Sequence, residues 1–271
     1  MISDITIGQF YAGASPVHRL DARMKLILTV FFIVIIFLCK NFVSLALMFA
    51  LTAVSILVSR VPFRMFFKSL KPILPIILLT AVLNIFYINK GEELVSFWRI
   101  TITTGGLATA FFMAVRIICL IMCSSLLTYT TTPTDLTDAI ERLLSPLKVL
   151  HIQVHTLAMM MTLALRFIPT LIEETERITN AQKARGADFE SGSFVQRVKA
   201  MLPVLIPLFV SAFRRAYELS FAMTCRCYHG GEGRTRMKQM RFHAADFVSL
   251  GLFALVLAGV IILNHYFGKM I

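Results

Sequence analysis

The sequence predicts an all-α integral membrane protein with about five transmembrane helices and a cytoplasmic domain of three helices, two of them long. Three observations predict this fold class. First, 57% of the 271 residues are hydrophobic and the mean hydropathy is +0.77, which is too apolar for a soluble domain. Second, five apolar stretches have the composition of membrane spans. Third, lysine and arginine are distributed very unequally among the segments between those stretches.

The five apolar stretches define the predicted spans. The first has 14 residues, about 21 Å as a helix, which is short for a hydrocarbon core of about 30 Å. Lys25 and Lys40 flank it and can extend outward to the interface, and an earlier start would lengthen the helix. Its short link to the second stretch predicts a helical hairpin. The predicted spans are 26–39, 42–58, 70–88, 106–130 and 247–267.

The basic residues predict the orientation. Of the 27 Lys and Arg, 22 fall in the N-terminal segment, the loop "RVPFRMFFKSLK" and the stretch 131–245, whereas 4 fall on the other side and Arg116 lies inside a span. Because basic residues collect on the cytoplasmic side, we expect a multi-pass protein of the cell membrane with a cytoplasmic N-terminus. The net charge of +12 is then mainly a signal of topology. No nucleic-acid-binding motif accompanies it, so we expect the lipid bilayer and no nucleic acid as a partner.

This orientation predicts three segments along the chain. They are spans one to four in 1–130, the cytoplasmic domain in 131–245 and the fifth span in 246–271.

The cytoplasmic domain is predicted to contain one short and two long helices. The short helix begins after Thr132, with Pro133 in its first turn. Apolar residues then recur at intervals of three and four over about 152–185, where Pro169 kinks the helix, and again over about 193–227. Each long helix has an apolar first half and a charged second half.

The segment "AMLPVLIPLFV" in the third helix is apolar on every face, so it must be buried in lipid or against another apolar surface. It has 11 residues and two prolines, which favours a position at the inner membrane surface or against a second membrane protein. The alternative is a sixth span near 200–213.

Both long helices end in an arginine between small residues, in "KARGAD" and "TCRCYH". The local interpretation is a helix cap, with Gly186 in the left-handed conformation and Arg185 favoured by the helix dipole. The repetition also suggests a binding role, because one chain with two similar helix ends fits a partner with two similar sockets.

Two other features of the sequence carry groups capable of chemistry. Cys225, Cys227 and His229 supply at most three ligands where a structural metal site needs four, so we expect no metal. Arg116 lies midway along a span, where an ionisable side chain is costly, and we expect it to pair with a carbonyl or with a polar group such as Asn84 or Ser124.

Three segments of the chain resemble the transmembrane T component of energy-coupling factor (ECF) transporters. They are "GQFYAGASPVHRLDARMKLI" near the N-terminus, "TTTPTDLTDAIERLLSPLK" and "LALRFIPTLIEETERITNAQKARGADF", which ends in the family's first Ala-Arg-Gly signature. The resemblance covers nearly the whole chain. At the second signature this sequence departs from the usual Ala-Arg-Gly or Ala-Arg-Ser and has Cys225-Arg226-Cys227.

The resemblance implies a non-catalytic scaffold that joins two cytoplasmic ABC-type ATPases to a membrane-embedded, substrate-binding S component for uptake, here of vitamins. It also implies that 131–245 is the cytoplasmic coupling domain. ATP and Mg would be bound by the partner subunits, and no cofactor is expected in this chain. The ATPase-binding residues implied are Ala184, Arg185, Gly186, Cys225, Arg226 and Cys227. The S-component-binding residues expected are Leu202, Leu205, Ile206, Phe209, Met161 and Ile168.

Two other classes of function compete with the scaffold. A stand-alone secondary transporter or channel needs polar or acidic residues near the membrane midplane, and apart from Arg116 this sequence lacks them. A membrane enzyme needs an acidic, Ser/His or metal set near the bilayer, and the sequence shows no such set.

Overall fold

The computed structural model of the chain describes residues 10–87, 93–97, 100–146, 153–189, 193–230, 240 and 242–266. Within these residues the fold is α-helical apart from one two-stranded antiparallel hairpin, which confirms the predicted fold class. The helices are α1 (Pro16–Arg19), α2 (Ala22–Leu38), α3 (Phe42–Ser59), α4 (Phe63–Leu70), α5 (Leu74–Tyr87), α6 (Thr104–Thr130), α7 (Pro133–Leu143), α8 (Val154–Ala184), α9 (Phe194–Cys225) and α10 (Ala244–Tyr266). The strands are β1 (Glu93–Phe97) and β2 (Ile100–Thr103), and a 3-10 turn at Lys71–Ile73 joins α4 to α5.

The chain divides into two compact units. The membrane-helix unit comprises Gly8–Ala139 and Gln239–Ile271, and the helix-pair unit comprises Met1–Ile7 and Ile140–Lys238. The helix-pair unit falls within the stretch for which the sequence predicts a cytoplasmic domain, apart from Met1–Ile7, which lie outside the described residues.

The main core of the membrane-helix unit lies between α2, α3, α6 and α10. Phe32 and Ile36 of α2, Met48 of α3, Phe112 of α6 and Val260 of α10 are almost fully buried there. Apolar side chains that point away from this core stay exposed on all four helices, as expected for helices that face lipid.

The first predicted span begins earlier than expected. The sequence suggested residue 26, but α2 begins at Ala22, because the carboxylate of Asp21 accepts a hydrogen bond from the Arg23 amide (2.9 Å) and caps the helix. Lys25 therefore lies inside α2 and does not flank it. Its ammonium donates to the carbonyl oxygen of Thr130 at the end of α6 (2.8 Å), so the charge is buried with an acceptor.

The third predicted span, 70–88, also differs from the structure. Its helical part is divided between the end of α4, the 3-10 turn and α5, and residue 88 lies outside the described residues. Pro72 lies in that turn and Pro75 in the first turn of α5, where a missing amide is tolerated.

Arg116 has a structural partner. Its Nη2 donates to the carbonyl oxygen of Cys39 (2.7 Å), which follows the last residue of α2, and its guanidinium lies 4.6 Å from the centre of the Phe112 ring. Asn264 of α10 donates to the neighbouring carbonyl of Leu38 (2.8 Å). The expectation of a carbonyl partner is confirmed, whereas the side chains suggested as alternatives, Asn84 and Ser124, are not the partners found.

Six helical segments are long and apolar enough to cross a membrane by length and composition alone. They are Phe42–Ser59, Phe63–Tyr87, Thr104–Thr130, Val154–Ala184, Val195–Cys225 and Ala244–Tyr266. The set includes both long helices of the helix-pair unit, and α2, with 17 residues, is one residue shorter than the shortest member. The protein is a multi-pass membrane protein, and the division into five spans and a cytoplasmic domain stays a prediction.

Candidate functional site

The first helix tip, formed by Ala184, Arg185 and Gly186, ends α8 in a Schellman motif. Gly186 has a φ of +86°, and its amide donates to the carbonyl of Lys183 (2.9 Å). The amide of Ala187 donates to the carbonyl of Gln182 (3.0 Å). These two bonds define the motif and satisfy carbonyls that a helix end would otherwise leave without a donor.

The second helix tip, formed by Cys225, Arg226 and Cys227, ends α9 with the same hydrogen bonds. The amide of Cys227 donates to the carbonyl of Thr224 (2.9 Å), and the amide of Tyr228 donates to the carbonyl of Met223 (3.1 Å). Cys227 occupies the position of Gly186 and also adopts the left-handed conformation, with a φ of +55°. The departure from glycine therefore leaves the shape of the cap unchanged, although the backbone at Cys227 is strained.

In both tips the arginine occupies the same place, directly after the last helical residue. Arg185 has a φ of −86° and a ψ of 6°, and Arg226 has a φ of −93° and a ψ of 16°. Both residues are exposed, and neither guanidinium makes an ion pair or a side-chain hydrogen bond within the described part of the chain. Each tip thus presents a free guanidinium, which can donate two parallel hydrogen bonds to one carboxylate or to adjacent carbonyls of a partner.

The two tips lie at opposite ends of an antiparallel helix pair. Two contacts between α8 and α9, and a third from Tyr228 just after α9, establish this arrangement. The Tyr228 hydroxyl lies 2.9 Å from the Met159 sulfur, Arg215 Nη2 lies 3.2 Å from Glu174 Oε2, and Gln182 Nε2 donates to the Pro203 carbonyl (3.3 Å). Residue numbers rise along α8 while their partners' numbers fall along α9.

The ion pair between Glu174 and Arg215 lies midway between the tips. Glu174 precedes Arg185 by 11 residues, and Arg215 precedes Arg226 by 11 residues. At about 1.5 Å per residue, each tip is about 16 Å of helix away from the ion pair. The helix pair therefore approximates two-fold symmetry about this contact, and the two tips are too far apart for one small socket to hold both.

The sequence shows the spacing that underlies this symmetry, although the ion pair was not predicted from it. Positions 174 and 215 differ by 41, as do the two tip arginines, 185 and 226. A comparison of the two helices aligned on their tips would have paired Glu174 with Arg215.

The residues expected to contact a membrane partner are all exposed, but they form two groups. Leu202, Leu205, Ile206 and Phe209 lie within about two turns of α9. The antiparallel register places them beside the last third of α8, which ends at the first tip. Met161 and Ile168 lie in the first half of α8, towards the second tip.

The exposed apolar surface of α9 extends beyond the predicted group. Seven further large apolar or aromatic residues of α9 are exposed, and the apolar segment quoted from the sequence contains only two of them. The seven are Val195, Val198, Met201, Val210, Phe213, Tyr217 and Phe221.

The fold and the two tips define a class: an all-α, multi-pass membrane protein with a pair of helices that presents two matching arginine caps. Comparison with known proteins gives the family. Residues 13–237 match the family model CbiQ, which is described as "Cobalt transport protein".

Curated relatives named "Energy-coupling factor transporter transmembrane protein EcfT" match along nearly their full length. The protein from Ruminiclostridium cellulolyticum is 50% identical over 267 residues, covering 98% of this chain and 100% of the relative. The protein from Clostridium kluyveri is 48% identical over 271 residues, covering 99% of this chain and 100% of the relative. The protein from Bacillus subtilis is 46% identical over 246 residues, covering 91% of this chain and 93% of the relative. The chain belongs to this family, the transmembrane T components of ECF transporters.

Proposed function

We propose that this chain is the membrane scaffold and energy-coupling subunit of an ATP-driven uptake complex. Each of its two helix tips docks on one cytoplasmic ABC-type ATPase, and its apolar helix surface holds a membrane-embedded S component that binds the substrate. The chain itself performs no catalysis, because ATP and Mg are bound by the ATPases. In this arrangement the N-terminus and the helix-pair unit lie on the cytoplasmic side.

The observation that carries this proposal is the repetition of one cap at both ends of the helix pair. Two copies of an ATPase related by a two-fold axis present two equivalent sockets, and the helix pair offers two equivalent tips about its central ion pair. A partner groove that offers a carboxylate or carbonyls satisfies each free guanidinium and each helix end.

Energy transfer follows from the same geometry. When two ATPases approach or separate, they pull on tips that are each about 16 Å of helix from the shared ion pair. Long helices transmit such a displacement because their backbone hydrogen bonds resist stretching. The apolar surface of α9 near the first tip then changes its position against the S component, which reorients and releases its substrate.

The arginines provide the test of docking. We expect Arg185→Ala and Arg226→Ala each to weaken the retention of ATPases in mild detergent, and the double variant to abolish ATP-driven uptake in vesicles while the chain still inserts. Arg214→Ala is the matched control, since Arg214 is an exposed arginine of α9 away from both tips. Normal ATP-driven uptake by the double variant would overturn the proposal, and fully active transport by the chain alone would favour a secondary transporter.

The substrate we propose is a vitamin, on the basis of the resemblance of the N-terminal segment to T components that serve vitamin-binding partners. The family description names cobalt instead. Uptake of labelled vitamins and of Co²⁺ should therefore be compared in the same reconstituted complexes. ATP-dependent uptake of vitamins without that of Co²⁺ supports the proposal, and the reverse result contradicts it.

A further inference from the structure

Helix α4 lies at one end of the membrane-helix unit. Tyr129, next to the last residue of α6, packs its ring edge-on against Phe66 of α4, with 5.3 Å between the ring centres. The Tyr129 hydroxyl donates to the carbonyl of Met65 (3.1 Å) and also bonds to the Ser69 hydroxyl. At the same end Lys25, in the first turn of α2, contacts the last residue of α6. Helix α4 is thus held where the membrane helices terminate.

The side chains of α4 point in three directions. Phe66 is 2% exposed and anchors the helix to the protein. Phe63 and Phe67, one turn apart, are 55% and 65% exposed. Arg64 and Lys68 project about 180° away from Phe66, because residues two apart on a helix point in nearly opposite directions. The circumference of this eight-residue helix therefore carries a protein-facing side, then an exposed aromatic stripe, then a basic stripe.

The basic stripe continues at both ends of α4. Arg60 and Lys71 are also exposed, so that four cations lie between residues 59 and 71 with no acidic residue among them. Across the described part of the chain, no carboxylate lies within ion-pair distance of these four side chains. The proposed ATPase and S-component contacts, which lie on α8 and α9, do not use them.

Arg60 lies directly after the last residue of α3. Arg60 adopts the left-handed conformation, with a φ of +54°, between α3 and α4. Such a conformation costs an L-residue about 1–2 kcal/mol and would be less strained with glycine. The first cation of the basic stripe therefore lies at the turn between the two helices.

We infer that α4 is an anionic-phospholipid site: Arg60, Arg64, Lys68 and Lys71 bind headgroup phosphates while Phe63 and Phe67 insert at the acyl-chain boundary. The combination of cations with an exposed aromatic stripe favours lipid over an acidic protein, because aromatic side chains beside basic ones are typical of helices at the membrane interface. Basic residues near an anionic membrane surface each contribute about 1 kcal/mol of attraction.

Lipid preference can be measured directly on the full-length chain. The sole tryptophan, Trp98, is replaced by phenylalanine, and Phe67→Trp places a fluorophore between Arg64 and Lys68. The protein is reconstituted in phosphatidylcholine vesicles that contain brominated phosphatidylglycerol or brominated phosphatidylcholine, and the quenching of the new tryptophan gives the relative binding constant of the two lipids.

We expect phosphatidylglycerol to be preferred about five-fold, which corresponds to the ~1 kcal/mol that one basic residue contributes at a membrane surface. Arg64→Gln with Lys68→Gln removes two of the four cations and should reduce the preference to about two-fold. Lys199→Gln with Arg214→Gln, which removes the same charge from exposed positions on α9, should leave it unchanged.

Salt distinguishes electrostatic binding from a defect in the variant. In about 1 M NaCl, where the Debye length is about 3 Å, the preference of the protein with all four cations should also decline towards one. Equal quenching by both lipids before any charge is removed, or the same loss in the α9 control, would overturn the inference.

Discussion

Replacement of Cys227 by glycine should stabilise the second helix tip. The cysteine has a φ of +55°, a conformation that costs an L-residue about 1–2 kcal/mol, and Gly186 adopts the equivalent position in the first tip without that penalty. The greater freedom of glycine in the unfolded chain offsets part of this gain, by about 0.5–1 kcal/mol. We therefore expect a net stabilisation of about 0.5–1 kcal/mol at the tip of α9.

The assay is hydrogen exchange at the amides that close the cap. The amides of Cys227 and Tyr228 donate to the last turn of α9, so their exchange reports the local opening of the tip. A gain of about 0.5–1 kcal/mol slows exchange about two- to five-fold, after correction for the intrinsic rates of the two sequences. Cys225→Ser is the matched control, because Cys225 is the last helical residue and keeps a helical backbone.

The reciprocal change strengthens the test. Gly186→Cys should accelerate exchange at the amides of Gly186 and Ala187 by a similar factor, since a Cβ atom at Gly186 meets no atom within 4 Å and only the backbone conformation opposes it. If Cys227→Gly leaves exchange unchanged, or if Cys225→Ser slows it equally, the left-handed strain at the second tip is not what limits its stability and the reasoning is refuted.

Three further predictions concern other parts of the chain. Reversal of either charge in the partly exposed pair Glu174–Arg215 should reduce uptake per ATP hydrolysed and lower stability by about 0.2–1 kcal/mol. The double variant with the two charges exchanged should recover uptake per ATP hydrolysed. If it performs no better than the single variants, the ion pair has no central role in coupling. Leu205→Glu should release the S component more than the ATPases when the complex is purified. Equal losses of both would contradict the proposal that the apolar surface of α9 binds the S component. Arg116→Met should lower thermal stability in detergent by about 1–3 kcal/mol, because the buried carbonyl of Cys39 loses its donor, and an unchanged melting temperature would show that water replaces the arginine.

Sequence patterns predicted the long helices well. The expected ranges 152–185 and 193–227 compare with α8 at Val154–Ala184 and α9 at Phe194–Cys225, and position 152 lies outside the described residues. These helices are long and strongly periodic, and Gly186 marks the end of the first. Such signals are local, so they are present in the chain without knowledge of its tertiary structure.

The features that were missed depend on distant contacts or on an unusual residue. Arg116 reaches the carbonyl of Cys39, a residue 77 positions away, which no local pattern reports. The register of α8 against α9, and with it the central ion pair, follows from packing between helices. Residues with a Cβ atom rarely adopt the left-handed conformation that Cys227 has. The sequence therefore did not indicate that the second tip has the same cap geometry as the first.

The central claim is that each helix tip docks on a separate ATPase. Its most direct test places a photo-reactive amino acid at position 185 in one variant of the full complex and at position 226 in another, followed by irradiation and identification of the adducts. The account predicts that both positions crosslink to an ATPase, and that a variant carrying the probe at both positions joins one chain to two ATPase subunits. Failure of both positions to reach an ATPase, or attachment of both to a single ATPase subunit, would contradict it.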